Sequence, residues 1–346
     1  MLLLLETISS LHWRFFKIIL IPVRNLINID SVFSDLCVRL ELAKLRLAPK
    51  KYREVIIWHD CCSAPPTLGD FLYLAFAARA LCKSGWKVSL NINVSGNFTH
   101  ELWKKLDMKQ IGQHLLLIEK IAISVVDDAN FTCIRVDSDC QENLSRNEAR
   151  GSTVRLLEAA LRTNKLAYKI YFPFLQSLLL TLEPEVRKTI VLPKRPLNSK
   201  ARQALRGSNY ISWHCRYSQK WSSERNTTTE SFIKIYHLLV ENFPKHKVVL
   251  ISDQAGCDFF GGVAKKEGLN ILLCKDFDTD FVEDCDLIIN SKFFLSYNGG
   301  GVHTISYLAP IPYLVLGVNS ERESNYTADI EGLKNSDIHR WVSCPD

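Results

Sequence analysis

Several signatures are missing from this chain, and each absence closes off a class of chemistry. It has no C-x-x-C pair, no His/Cys/Asp cluster at metal-ligand spacing and no G-x-S-x-G elbow. A zinc site and a serine-hydrolase nucleophile therefore lack their usual sequence support, and metal-independent chemistry with no cofactor is the expectation. Neither G-x-G-x-x-G nor a Walker sequence occurs, which places a Rossmann oxidoreductase or epimerase last among the readings. The apolar runs near the start are too short for a spanning helix, which needs ~20 residues. "MLLLL" is broken by Glu6, and "FFKIILIPV" carries Lys17 and Pro22. No small-residue cleavage site follows them, against a signal peptide.

Charge of one sign is also scarce. Lys and Arg number 43 against 37 Asp and Glu, a net +6 over 346 residues. Nucleic-acid binding calls for a more concentrated basic face and is not expected; an anionic small substrate or an acidic membrane surface fits equally. The 11 cysteines are odd in number and mostly sit in apolar runs, such as Cys82 in "AARALCKSGW" and Cys274 in "NILLCKD". They read as reduced, small hydrophobes in a cytoplasmic protein rather than a disulfide framework. N-x-[ST] triplets at Asn93, Asn97, Asn130, Asn143, Asn226 and Asn325 point weakly the other way. Several fall in or beside predicted strands, where a glycan is awkward. Residues 11–27, "LHWRFFKIILIPVRNLI", interleave Arg14, Lys17 and Arg24 with aromatic and aliphatic side chains. They read either as a helix lying at a membrane interface, on the cytoplasmic face, or as a helix packed on the domain.

From residue 51 the pattern alternates between strand and helix. Strands are predicted at 54–60, 87–93, 114–120 and 131–138, with helices from Gly69 to Gly85, around "HELWKKL", and over 153–163 and 173–182. Residues 192–209 have the prolines and charges of a linker. Strands at 210–217, 247–253, 270–276, 293–298 and 313–317 follow, with an amphipathic helix over 227–243 whose Thr227 and Glu230 stand at capping-box spacing. This order predicts an α/β protein of two Rossmann-like, doubly wound domains facing a central cleft. The expected division is an N-terminal segment (1–50), a first Rossmann-like domain (51–190) and a second (191–346).

Four places could carry chemistry. Gly69 and Asp70, in "PTLGDF", stand where the first strand's loop meets a helix. Asp70 there is either a general base or a cap that offsets the helix dipole. In "SWHCRYSQKW", His214, Arg216 and Lys220 stand at or just past the end of a buried strand and read either as a solvated basic loop or as a diphosphate site, the arginine as a planar fork and the lysine as a point charge. Ser252 and Asp253 end another strand and read either as nucleoside contacts or as turn residues. The densest stretch is "SYNGGGVHTISYLA": Asn298, Gly299, Gly300 and Gly301 precede a short helix carrying His303. Backbone N–H groups at such a helix start can receive an anion.

These motifs resemble glycosyltransferases of the GT-B fold, and among them the heptosyltransferase family of lipopolysaccharide assembly. The "GD" after strand one, the Lys220-Trp221 pair in the strand-tip loop, and the glycine turn followed by His303 and "PIPYLVLG" carry the resemblance. It implies a nucleotide-sugar donor, Asp70 as base and Lys220 on the donor phosphates. "HCR" (214–216) resembles the His-x-Arg of GT-B fucosyltransferases instead, which implies Arg216 as the principal phosphate ligand. The expectation is sugar transfer to a glycan or lipid-linked acceptor, against a catalytically silent nucleotide-sugar binder of the same fold.

Overall fold

The computed structural model describes residues 54–61, 66, 68–94, 98, 101–136, 191–219, 223, 226–297, 302, 305, 309–318 and 339–344. The interfacial segment at 11–27, the helices expected at 153–163 and 173–182, and the triplets at Asn97, Asn143 and Asn325 lie outside them. Among the described residues, no helix is long and apolar enough to cross a membrane.

The first half is a parallel sheet of β1 (Glu54–Asp60), β2 (Lys87–Asn93) and β3 (Phe131–Val136), in that order. Parallel neighbours need a crossover, and helices supply it. α1 (Leu68–Lys83) follows β1, and α2 (Met108–Val126) follows β2 after a single 3-10 turn at Trp103–Lys105. α1 buries nearly all its length, from Phe71 and Leu72 to Leu81 and Cys82. The chain leaves it through Gly85 at φ 82, a left-handed conformation that suits glycine.

The strand expected at 114–120 is helix. Asp107 and Gln110 form a capping box ahead of α2, and Ile111, Leu115, Ile118, Ile121, Ala122 and Val125 share its buried face. Leu116, inside the same apolar run, is 61% exposed. "HLLLI" reads as a buried strand only if all its residues are inside, and helical spacing turns Leu116 outward.

The second half is a six-stranded parallel sheet ordered β6-β5-β4-β7-β8-β9. Its strands are β4 (Tyr210–His214), β5 (Lys247–Ile251), β6 (Ile271–Leu273), β7 (Phe293–Tyr297), β8 (Tyr313–Val318) and β9 (His339–Cys344). Counted from β4, the order is 3-2-1-4-5-6, the doubly wound Rossmann arrangement, and it reverses between β4 and β7. α3 (Ser199–Leu205) precedes the sheet; α4 (Thr229–Asn242), α5 (Gln254–Glu267) and α6 (Phe281–Asn290) make the crossovers. The fold is therefore α/β with Rossmann-type parallel sheets.

Three further expectations need correction. Residues 192–209 are not a loose linker: Leu192 is buried, and Asn198 caps α3 by accepting from Ala201 N at 2.9 Å. α4 is capped by Thr228, which accepts from Ser231 N at 3.1 Å, and not by Thr227. The sheet continues past β8 into β9, where sequence reading stopped short.

β4 is buried on both faces. Ile211, Trp213 and Cys215 point to one side, where Trp213 stacks on Phe232 at 4.8 Å and Phe232 on Phe260 at 4.7 Å. Tyr210 and Ser212 point to the other, under α6, with Tyr210 Oη donating to Leu287 O at 2.7 Å and the Ser212 and Ser291 hydroxyls 2.9 Å apart. α6 in turn packs against α2 of the first half, where Lys120 pairs with Asp280. One apolar core runs through this seam. Arg79 of α1 fastens it from beneath. The buried guanidinium donates to Val125 O (3.1 Å), Val126 O (2.8 Å) and Val191 O (2.9 Å), tying the end of α2 to the start of the second half.

Candidate functional site

An open doubly wound sheet takes its ligands outside the carboxyl ends of its strands, at the point where strand order reverses. Here that point is the β4–β7 pair, with His214 directly opposite Ser296 in the register. The chain leaving β4 carries "HCR", and the chain leaving β7 runs into Asn298 and the three glycines. The ends of β4 and β7 are thus placed side by side, with His214 Nδ1 and Ser296 Oγ, 82 residues apart in sequence, at 3.2 Å. Ser296 Oγ also lies 3.1 Å from Tyr297 O, to which it can donate; with the hydroxyl turned that way it accepts from His214 Nδ1–H.

The period of two along an extended chain sorts the motif. His214 follows Tyr210 and Ser212 on the α6 side, and Cys215 after it is fully buried on the opposite side, while Arg216 turns toward Asn226 and Thr227. Burial pushes the Cys215 thiol well above its ordinary range, so it is a packing group and not a nucleophile.

Arg216 is 8% exposed, unusually deep for an arginine. Its Nη1 donates to Asn226 Oδ1 at 2.7 Å. Its backbone is tied to Thr227 in both directions: Arg216 N donates to Thr227 Oγ1 at 3.2 Å, and Thr227 N donates to Arg216 O at 2.9 Å. Asn226 also accepts from Ser218 N and donates to Ser218 O, each at 2.9 Å. Sequence reading missed Asn226, Thr227 and Ser296. The triplet Asn226-Thr227-Thr228 was visible as a glycosylation pattern, yet each residue has work inside the fold: amide strut, backbone tie and helix cap. The amide nitrogen a glycan would need is already donating.

Ser252 and Asp253 follow β5. Ser252 is 5% exposed, and its hydroxyl donates to Cys215 O at 3.0 Å, joining the ends of β5 and β4. Asp253 caps α5 by accepting from Gly256 N at 2.8 Å, and it remains exposed at the strand tip. A Cβ on Gly256 would lie 2.0 Å from Ser252 Oγ, so only glycine lets α5 start this close to the strand. Beneath lie Cys257 and Cys274, sulfurs 3.7 Å apart. The hydrogen bond with Cys257, then burial, push the Cys274 thiol far above its usual range.

Gly69 and Asp70 are the second and third residues of α1, in the first turn after the loop from the carboxyl end of β1. Lys220, Asn298, Gly299, Gly300, Gly301 and His303 fall outside the described residues. Nearby, Val302 and Ile305 are buried, and Ala309 N donates to Ile305 O at 2.9 Å, one helical turn after the glycines. Among the described residues, no group of three or more His, Cys, Asp or Glu side chains is arranged to hold a metal ion.

No protein-family model matches the chain, and no curated protein matches its sequence. Among solved structures it is similar to E. coli ADP-heptose lipopolysaccharide heptosyltransferase II, at 11% identity and a TM-score of 0.47, over 83% of this chain and 89% of that one. It is also similar to a glycosyl transferase family 9 protein from Veillonella parvula, at 12% identity and a TM-score of 0.42, over 78% and 82% of the two chains. A third is a putative UDP-N-acetylglucosamine 2-epimerase from Listeria monocytogenes, at 12% identity and a TM-score of 0.43, over 81% and 85%.

Proposed function

We propose that the protein is a metal-independent glycosyltransferase of the GT-B class, moving a sugar from a nucleoside-diphosphate sugar to a glycan or lipid-linked acceptor. The observation that carries this reading is the meeting of two strand ends where the strand order reverses. The strand-order reversal brings the His214–Arg216 end of β4 next to the end of β7, which leads into Asn298 and the glycines. A buried guanidinium after one strand, with a glycine-rich stretch following the neighbouring strand in sequence, suits a diphosphate, because fixed cations and backbone amides act most strongly on charge that develops in a water-poor site.

In this reading residues 191–346 hold the donor through Arg216, Lys220 and the backbone at Gly299 to Gly301, with His303 near the phosphates or sugar. Residues 51–190 present the acceptor to Asp70, across a cleft between the domains. The acceptor hydroxyl attacks the sugar's anomeric carbon from the face opposite the leaving group, and its proton passes to the Asp70 carboxylate. The bond from that carbon to the diphosphate oxygen breaks, and the nucleoside diphosphate departs with the electron pair. Residues 11–27 supply peripheral membrane contact for a lipid-linked acceptor.

The depth and bracing of Arg216 favour a second version of the same reading, in which the arginine replaces Lys220 as principal phosphate ligand, as in a GDP-fucose-type fucosyltransferase. A thermal-shift screen against nucleotide sugars identifies the donor, since ligand at ~100 times its dissociation constant adds about 2.7 kcal/mol of stability. With that donor, Asp70→Asn is expected to lower turnover by about 10²-fold or more, and Lys220→Ala or Arg216→Met to weaken donor binding. Near-normal turnover in both Asp70→Asn and Lys220→Ala would refute the roles assigned. Donor binding without transfer to any acceptor would identify a silent binder.

A further inference from the structure

We infer that Asn226 is the positioning residue of the donor-phosphate site, an inference that rests on the reading of Arg216 as a diphosphate ligand. Asn226 ties the residues just after β4 to the residues that enter α4. Its Oδ1 accepts from both Arg216 Nη1 (2.7 Å) and Ser218 N (2.9 Å), while Nδ2 donates to Ser218 O (2.9 Å) and its backbone N donates to Ser223 O (3.0 Å). Thr227, the next residue, pairs with the Arg216 backbone on both sides. The backbone of Arg216 and one end of its guanidinium are thus set by adjacent residues at the entry to α4.

The chemistry requires an amide. Only Asn at this size offers an acceptor for the guanidinium and Ser218 N together with a donor for Ser218 O. Aspartate would keep the acceptor but place a negative charge against the guanidinium, opposing its attraction for an anion. Alanine would remove the acceptor of Arg216 Nη1 and both side-chain bonds to the Ser218 backbone. Holding a cation in place before the ligand arrives removes an ordering cost from binding, which is the physical content of preorganisation.

The test is a double-mutant cycle read by calorimetry, with inorganic pyrophosphate, ADP, GDP and UDP as probes and thermal melting as the check on folding. Asn226→Ala is expected to weaken pyrophosphate binding about tenfold in the natural chain and to have no further effect in an Arg216→Met background, because it acts through that arginine. Should the alanine variant not fold, Asn226→Asp serves. It is expected to lower affinity about tenfold at low salt, with a smaller loss at high salt as the added charge is screened. An Asn226→Ala loss that persists in Arg216→Met, or unchanged affinity in both Asn226 variants, overturns the inference and leaves the donor-site reading standing. Natural protein that ignores all four probes overturns that reading and this inference with it.

Discussion

Asp286 offers a sharp test of the seam between the two halves. It stands on α6 facing α2, beside a small cavity lined by Ile121, Val125, Leu192, Val282 and Ile289. Its Oδ1 has no hydrogen-bond partner among the described residues, and the Arg195 guanidinium lies 3.9 Å away, with its other nitrogen donating to Ser124 O. Burial is the main cause that pushes the Asp286 carboxyl up to about 6; Arg195 and Lys120 oppose it, and Glu283 and Asp280 add repulsion. The side chain is only 11% exposed, so solvent screening is weak. A rise from 3.8 to about 6 corresponds to a ceiling of about 3 kcal/mol of destabilisation for the charged form. The folded state binds this proton more tightly than the unfolded chain. The group's favourable contribution is therefore complete below pH ~3.8 and is lost as pH rises through ~6. Asp286→Asn removes the titration and keeps the shape. Urea denaturation should find the variant more stable by up to about 3 kcal/mol at pH 7.5 and by about half that at pH 5. Other titrating groups cancel in the difference. A variant less stable than the natural chain at pH 7.5, or a difference unchanged between the two pH values, would refute the reasoning.

Other perturbations probe the remaining joints. Arg79→Met leaves two buried carbonyls and one part-buried carbonyl without this donor and should cost about 2–3 kcal/mol in chemical denaturation; a loss under about 0.5 kcal/mol would mean the fastening is slack. Gly256→Ala forces a Cβ to 2.0 Å from Ser252 Oγ and 2.9 Å from its Cβ, for an expected loss of about 1–3 kcal/mol. A variant of natural stability would show that α5 starts further from β5 than described. Asp280→Ala removes the capping box of α6 and the pairing with Lys120, and the melting temperature should fall by the equivalent of about 1 kcal/mol. No change in melting would show that α6 does not depend on that cap.

The strands were largely legible from their apolar pattern: "EVIIWHD", with an unbroken apolar run, coincides with β1, and "KVSLNIN", with Val88, Leu90 and Ile92 alternating with polar residues, coincides with β2. The same rule misplaced 114–120, where a helix in contact on one face reads as apolar over a short window. α6 escaped because its face toward the sheet and seam includes Asp284 and Asp286, both buried. Asp284 is held by Lys275 Nζ at 2.6 Å and Thr279 Oγ1 at 2.6 Å. Partners supplied by the fold make such acids tolerable, and nothing in the local sequence reveals them.

The candidate site divides along the same line. Residues that would meet a ligand cluster in sequence because strand ends and the loops after them are short, so "HCR" and the glycine run could be picked out by eye. Residues that hold those groups in place answer to three-dimensional distance instead. Asn226 is 10 positions from the arginine it braces, and Ser296 is 82 from the histidine it orients. Ser296 was one polar letter inside "FFLSYN", and it became interpretable only once β7 was placed beside β4. The strand-order reversal therefore does two jobs. It places the carboxyl ends of β4 and β7 side by side, and it sets the Ser296 hydroxyl 3.2 Å from His214 Nδ1.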